Sequence, residues 1–223
     1  MFNTESLSDQ AERALKEEIL SGRLAPEQRV DLSAYAALWR LSPTPLRDAV
    51  KQLEAQGFVE VSPRRGAFVV KVDSQTVKEI FELRVALECL AVQLSIDHIP
   101  PMEAQAALES YRAIATLTAK KKRRERLSSI DNLVHNLVVK HCGNARLRKT
   151  MEGLNDLIRW SRWICYSTEP IPYEAALPEH LEICEALCAR DTTAAVEAMR
   201  RHLLNTFHRI DAQLRLKQNP KKG

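Results

Sequence analysis

A chain of 223 residues with 45% hydrophobic content and a formal net charge of +4 is long enough for one large domain or two smaller ones with a real core. Its apolar runs fall short of the roughly 18 residues of a membrane span, and the first residues lack the basic-then-apolar pattern of a secretory leader, so no membrane partner is expected. Five cysteines, an odd number without a paired framework, fit a reducing cytoplasm better than a secreted disulfide protein.

With only six glycines and apolar residues recurring at helical spacing, the chain is expected to be mostly α-helical. Ser8 to Ser21 reads as a first helix, with Ala11, Ala14, Leu15 and Ile19 on its apolar stripe and Gly22 at its end. Leu24 to Arg29 reads as a turn. Asp31 is placed to cap a short second helix, Leu32 to Leu38, and Trp39-Arg40-Leu41 is a tight link. Leu41 to Phe58 holds a third helix with both ends marked. Ser42 is placed as an N-cap whose hydroxyl accepts from a first-turn N–H, Pro43 suits the first turn, and Gly57 stops it. Leu46, Ala49, Val50 and Leu53 form its buried stripe, leaving Thr44, Arg47, Asp48 and Lys51 on other faces.

Two β-rich runs follow, Phe58 to Val61 and Ala67 to Val70, around Ser62-Pro63-Arg64-Arg65-Gly66. They predict a hairpin with two arginines and a turn glycine at its tip. Helix, short helix, tight turn, third helix and hairpin make the order of a winged helix-turn-helix. Between Arg40 and Lys71, six basic residues face three acidic ones, so the positive field is local.

From Gln75 onward the pattern predicts only helices. On a long one, Val77, Ile80, Phe81, Arg84, Leu87, Ala91 and Leu94 share a face, which puts Arg84 inside an apolar stripe. A buried arginine needs a partner, either an ion pair with Glu88 one turn on or a bound anion. Pro100-Pro101 breaks the chain before a helix over Met102 to Ala119. Lys120 to Arg126, KKKRRER, reads as a solvated face or loop. Ser129 to Lys140 reads as one helix that sets Asp131 and His135 one turn apart. His180 falls on a stripe with Leu177, Cys184 and Leu187, and His202 on one with Ala195, Met199 and Thr206. Three inward histidines and a carboxylate can serve Zn²⁺, Ni²⁺ or another first-row ion, or can be satisfied core residues, and spacing does not settle their convergence. Cys184 and Cys188, four apart, are read as core cysteines rather than half a zinc site. Arg159, Trp160, Arg162 and Trp163 suit either a pocket wall or a dimer interface.

Two segments carry a family resemblance. Met1 to Val72 resembles the winged-helix domain of the GntR family of bacterial transcription regulators. The matching parts are the helix ending near Gly22, the Leu24-Ala25-Pro26-Glu27 turn in place of Leu-x-Pro-Gly, the Ser42 to Ala49 helix start, Leu53 to Gly57, and the Arg-Gly wing tip. The chain departs from that pattern at Pro43, where arginine is common, and at Ser33, where a charge is common. Ser74 to Leu216 resembles the all-helical FCD effector domain of the FadR-like branch. Phe81 to Glu88, Asp131-x-x-x-His135 with Gly143-Asn144-x-x-Leu147, and Glu179-His180 with Asp191 and Arg200-Arg201-His202 carry it. The resemblance implies a divalent metal held by Asp131, His135, His180 and His202, with Arg84 in the adjoining ligand pocket.

The expected organisation is a DNA-binding domain over 1–72, a linker over 73–76, an effector and dimerisation domain over 77–216, and a basic tail over 217–223. The expected function is a cytoplasmic, homodimeric regulator, in the repressor mode usual for such proteins. It would bind a palindromic operator through Arg40, Ser42, Thr44, Arg47, Lys51, Arg64, Arg65 and Gly66, and respond to a small organic acid bound beside zinc or nickel. A regulator sensing the metal itself, a purely structural metal, and a metal-dependent hydrolase or lyase are the rival readings.

Overall fold

The computed structural model describes residues 5–166 and 172–218. The chain divides into two compact units, Met1–Asp73 and Ser74–Gly223.

In the first unit, α1 (Leu7–Leu20) packs against α3 (Pro43–Ala55). Leu15, Ile19, Leu46, Ala49 and Leu53 are fully buried between them, as their helical spacing requires. α2 (Leu32–Trp39) is capped by Asp31, whose carboxylate accepts from the N–H groups of Ser33 and Ala34 at 3.0 Å each. Past Arg40, the chain enters α3 at Ser42. Ser42 has the extended backbone of an N-cap, but its hydroxyl makes no capping bond, contrary to expectation. At the other end, Gly57 (φ +81°) donates to Glu54 and Phe58 donates to Leu53, the paired bonds of a glycine-terminated helix.

β1 (Val59–Ser62) and β2 (Gly66–Val69) are antiparallel, with Val59 opposite Val69 and Ser62 opposite Gly66. The Leu24–Arg29 stretch is more than a turn. Glu27 donates to the Val69 carbonyl, Val69 to that of Gln28, and Val30 to that of Ala67, so the segment lies along the free edge of β2. A long-range pairing of this kind has no local signature, which explains the difference.

The second unit is a helical bundle: α4 (Ser74–Ser95), α5 (Pro101–Ala115), α6 (Lys120–Ile130), α7 (Leu133–His141), α8 (Ala145–Cys165), α9 (Tyr173–Cys188) and α10 (Thr192–Gln218). α4 packs against α7, α8 and α10, while α9 lies between α5 and α10. Four boundaries differ from the sequence reading. α4 begins at Ser74, within the stretch expected as linker. α5 stops at Ala115. The KKKRRER run begins helix α6 as a mostly exposed face, which fits the solvated-face alternative and not the loop. The helix expected over Ser129 to Lys140 is broken at Asp131 and Asn132, between α6 and α7. Of the expected basic tail, the described part belongs to the end of α10, and the rest lies outside the described residues.

Candidate DNA-contacting face and metal pocket

In the first unit, burying one stripe of α3 turns its other residues outward. Ser42, Thr44, Arg47 and Lys51 are all exposed, as are Arg40 before the helix and Arg64 and Arg65 on the hairpin. Lys51 leans on Asp48 at 3.1 Å, which leaves Arg47 as the α3 cation without an acidic partner among the described residues. With the Ser42 hydroxyl not engaged in capping, the N-terminal end of α3 presents open donors and acceptors.

The hairpin tip is built at some cost. Pro63 leads into Arg64, which sits at φ +64°, and Arg65 donates its N–H to the Ser62 carbonyl at 3.1 Å. A left-handed conformation costs an L-residue roughly 1–2 kcal/mol, so glycine would be the cheaper occupant. Gly66 is required by its backbone, since φ +105° is a conformation side chains rarely adopt, and a Cβ there would also crowd Arg29 Nε at 3.2 Å. Arg29, exposed and paired across from Phe68, thus joins Arg64 and Arg65 at the wing. Sequence reasoning missed it, because only the added edge pairing brings it there. Arg64→Gly is expected to raise the melting temperature while weakening operator DNA severalfold. A thermal melt and a DNA titration on the same sample check both signs.

In the second unit, α7, α9 and α10 bring His135, His180 and His202 together. One ring nitrogen from each lies within 4.8 Å of the others, and all three residues are at least 95% buried. His98 and His208 are exposed and His141 pairs with Glu103. Two of the three clustered rings are oriented by carboxylates. His135 Nδ1 bonds to Glu88, and His202 Nδ1 bonds to Glu179 at 2.7 Å. Such partners fix the ring and leave Nε2 as the lone-pair nitrogen. His180 lacks this arrangement: its ring stacks on Tyr111, with centroids 5.0 Å apart, and its Nε2 is buried with no hydrogen-bond partner among the described residues.

The electrostatics favour neutral imidazoles at His180 and His202. Burial pushes His202 down to about 4 despite the opposing pull of Glu179. Burial, with the nearby charges of His202 and His135, also pushes His180 well below its ordinary 6.5. For Glu88, burial would raise the pKa, but Arg84 and His135 outweigh it and bring the carboxyl to about 2. Glu179 reaches about 2 in the same way, against burial, through His202, Arg209 and Asn205. A neutral His180, and a neutral His202 oriented by an ionised Glu179, are protonation states that suit a metal-binding cluster.

Asp131 is not brought into the histidine cluster. It ends α6 and forms an ion pair with Arg162 of α8. Both residues nevertheless line the same small pocket as Arg84, His135, His202 and Arg209, with about 20 Å³ of free room, enough for roughly one water. Arg84 is 3% exposed and donates to Glu88 at 2.5 Å, so the anticipated ion pair exists on the pocket wall itself. Arg209 donates to both oxygens of Glu179 at 2.9 Å. Trp160 is buried, Trp163 is 43% exposed, and of that group only Arg162 reaches this wall.

A winged helix-turn-helix joined to an all-helical unit with a histidine-lined pocket is the build of a bacterial transcription regulator. Residues 7–69 match the family described as "Bacterial regulatory proteins, gntR family", and residues 79–205 match the FCD domain. The chain therefore belongs to the GntR family, in the branch with an FCD effector domain. It is 30% identical over 200 residues to the HTH-type transcriptional repressor GlaR of Escherichia coli, spanning 86% of this chain and 90% of that one. It is 27% identical to the Nta operon transcriptional regulator of Aminobacter aminovorans, over 86% of this chain and 88% of that protein. Among solved structures, E. coli McbR/YncC shares the fold with a TM-score of 0.70, at 21% identity, covering 94% of this chain and 99% of that one. The metal-free FCD domain of TM0439 covers 65% of this chain and 98% of its own length, with a TM-score of 0.56 and 23% identity. The protein is a DNA-binding transcription regulator and not an enzyme, which removes the hydrolase and lyase readings. None of the described helices is long and apolar enough to cross a membrane.

Proposed function

We propose that this regulator is a cytoplasmic homodimeric repressor whose hold on a palindromic operator is set by a small organic acid bound beside a divalent metal in the second unit. The histidine cluster carries the proposal. Its buried Nε2 of His180 has no protein partner among the described residues, although an unsatisfied buried polar group is costly, and a metal ion is the partner that fits it. His135, His180 and His202 would hold the ion, zinc or nickel. Asp131, on the same pocket wall, is the fourth donor once it leaves Arg162. The metal would supply positive charge and open coordination positions for an anionic ligand.

The acid is inferred from the wall. Arg84, Arg162 and Arg209 line the pocket, and a planar guanidinium binds carboxylate in a bidentate fork. Repression is supported by relatives named as repressors, GlaR and RspR of E. coli. The proposed operator-contacting set is Arg40, Ser42, Thr44, Arg47, Lys51, Arg64, Arg65 and Gly66, and the exposure of Arg29 beside Gly66 supports including it. The test is a gel shift on DNA from the protein's own promoter region, with carboxylic acids and with a chelator. Release by one acid, only in metal-loaded protein, supports the proposal, and indifference to every acid sinks it. The small free room favours one second reading, in which the ion alone is the signal. DNA release by metal without any acid would establish that reading instead.

The dimer rests on α4. Leu83, Leu87, Leu90 and Leu94 alternate at spacings of four, three and four, the seam of a two-helix coiled coil. Leu83, Leu90 and Leu94 are 58%, 39% and 38% exposed, an apolar stripe that a second copy of the same helix would cover symmetrically. Leu90→Glu is therefore expected to yield monomers with an unchanged circular dichroism spectrum. Sedimentation shows the outcome, and a persistent dimer would move the interface elsewhere.

A further inference from the structure

The basic run on α6 has no part in DNA binding or in the metal cluster as described. We propose that it forms a second anion subsite for the effector, selecting an acid that carries a further anionic group, such as a di- or tricarboxylate. This rests on the organic-acid reading and names the substrate class within it.

The geometry joins the two places. Lys120, Lys121 and Arg124 line an open cleft of about 1150 Å³ between α6 and the start of α9, together with the acids Glu125 and Glu174. Tyr166, Pro172 and Tyr173 line this cleft, and the same three residues line the small pocket beside His135 and His202. Tyr173 also carries Arg162 over its ring, with the guanidinium 5.3 Å from the centroid. The shared wall is thus in contact with a pocket cation on one side and borders the basic cleft on the other.

The charges in the two places differ in kind. Each pocket arginine already has a carboxylate: Arg84 has Glu88, Arg162 has Asp131 and Arg209 has Glu179. Lys120, Lys121 and Arg124 have no ion-pair partner among the described residues, so an anion there displaces none of the described carboxylates. They also sit where cations are disfavoured. The helix starts at Lys120 with no capping side chain at Ala119 and no acid in its first turn, so lysines crowd the positive end of the helix dipole. A carboxylate held there relieves both the crowding and the uncapped N–H groups. A ligand with one acid group in the pocket and a second reaching past Tyr166 and Tyr173 uses both sets of cations. The open cleft also draws anions toward the pocket, an effect that salt screens.

The experiment compares full-length, metal-loaded wild type with Lys120→Ala/Lys121→Ala/Arg124→Ala, titrating acetate, succinate and citrate by calorimetry at low and high salt. The expected result is that citrate weakens about tenfold in the variant and loses most of its salt dependence, while acetate is unchanged. Retained acetate binding shows that the variant is folded. Equal losses for acetate and citrate, or no loss for either, overturn the subsite while leaving the organic-acid reading intact. If wild type binds none of the three acids, the organic-acid reading falls and takes the subsite with it. If the variant loses operator DNA but binds citrate as wild type does, the run belongs to nucleic-acid contact and the subsite is wrong.

Discussion

Purified His180→Ala protein is expected to carry no stoichiometric metal and to gain nothing in melting temperature when zinc or nickel is added. Wild type should show a clear upward shift, since a ligand that binds only the folded state stabilises it in proportion to the logarithm of its concentration. His180 is the sharpest test because its Nε2 has no hydrogen-bond partner among the described residues. Removing it leaves Glu88 on His135 and Glu179 on His202 in place, so the other two rings keep their orientation. Loss of an oriented second partner alone typically weakens metal binding 10- to 100-fold, and loss of a ligand should exceed about 100-fold. The metal-free variant should remain folded, because the group removed is one whose burial is unfavourable without metal. Elemental analysis after gel filtration reads the outcome. Full occupancy in both His180→Ala and His135→Ala would mean that the cluster is not a metal site.

Arg47→Ala should weaken operator binding by roughly tenfold to a hundredfold per half-site, the scale of one good base contact of about 1–3 kcal/mol. Arg47 is exposed on the outer face of α3, one residue after the buried Leu46, and Lys51 is partly occupied by Asp48. The substitution removes no buried group, so the thermal melt should not move. A fluorescence anisotropy titration at several salt concentrations distinguishes what Arg47 touches. If it reads a base edge, the alanine variant loses affinity for the operator more than for random DNA. If it grips a phosphate, both affinities fall together and the salt slope flattens. Unchanged affinity for both would exclude α3 as the recognition helix.

Much of the fold was legible because its signals are local. Asp31 and Gly57 mark helix ends through bonds to their own neighbours, and the buried stripe of α3 follows from spacing alone. The inward faces of His180 and His202 were readable for the same reason. What the sequence hid depends on distant partners. Nothing in Ser-Ile-Asp-Asn announces a helix break, yet the chain leaves the helical path at Asn132, and Asp131 pairs with Arg162, thirty-one residues away. Glu179 is the neighbour of His180 in sequence but serves His202 on another helix, since adjacent helical residues point about 100° apart. Arg29 reaches the wing only through an edge pairing that spans about forty residues. Glu88 was visible as a partner for Arg84 at one-turn spacing, but its second oxygen, which holds His135, was not.

Glu179 is shared property. Its two oxygens serve His202, Asn205 and Arg209 together, and Arg209 stands on the wall where an acid would bind. On the proposed reading, an acid that draws Arg209 away from Glu179 would change the carboxylate that orients His202. The proposed metal and acid would then not be independent ligands. Whatever factor one applies to the affinity of the other must be returned in equal measure, because the two binding orders form a closed thermodynamic cycle. A cell's metal supply would therefore set the concentration of acid at which the regulator responds, with the exchange passing through a single glutamate.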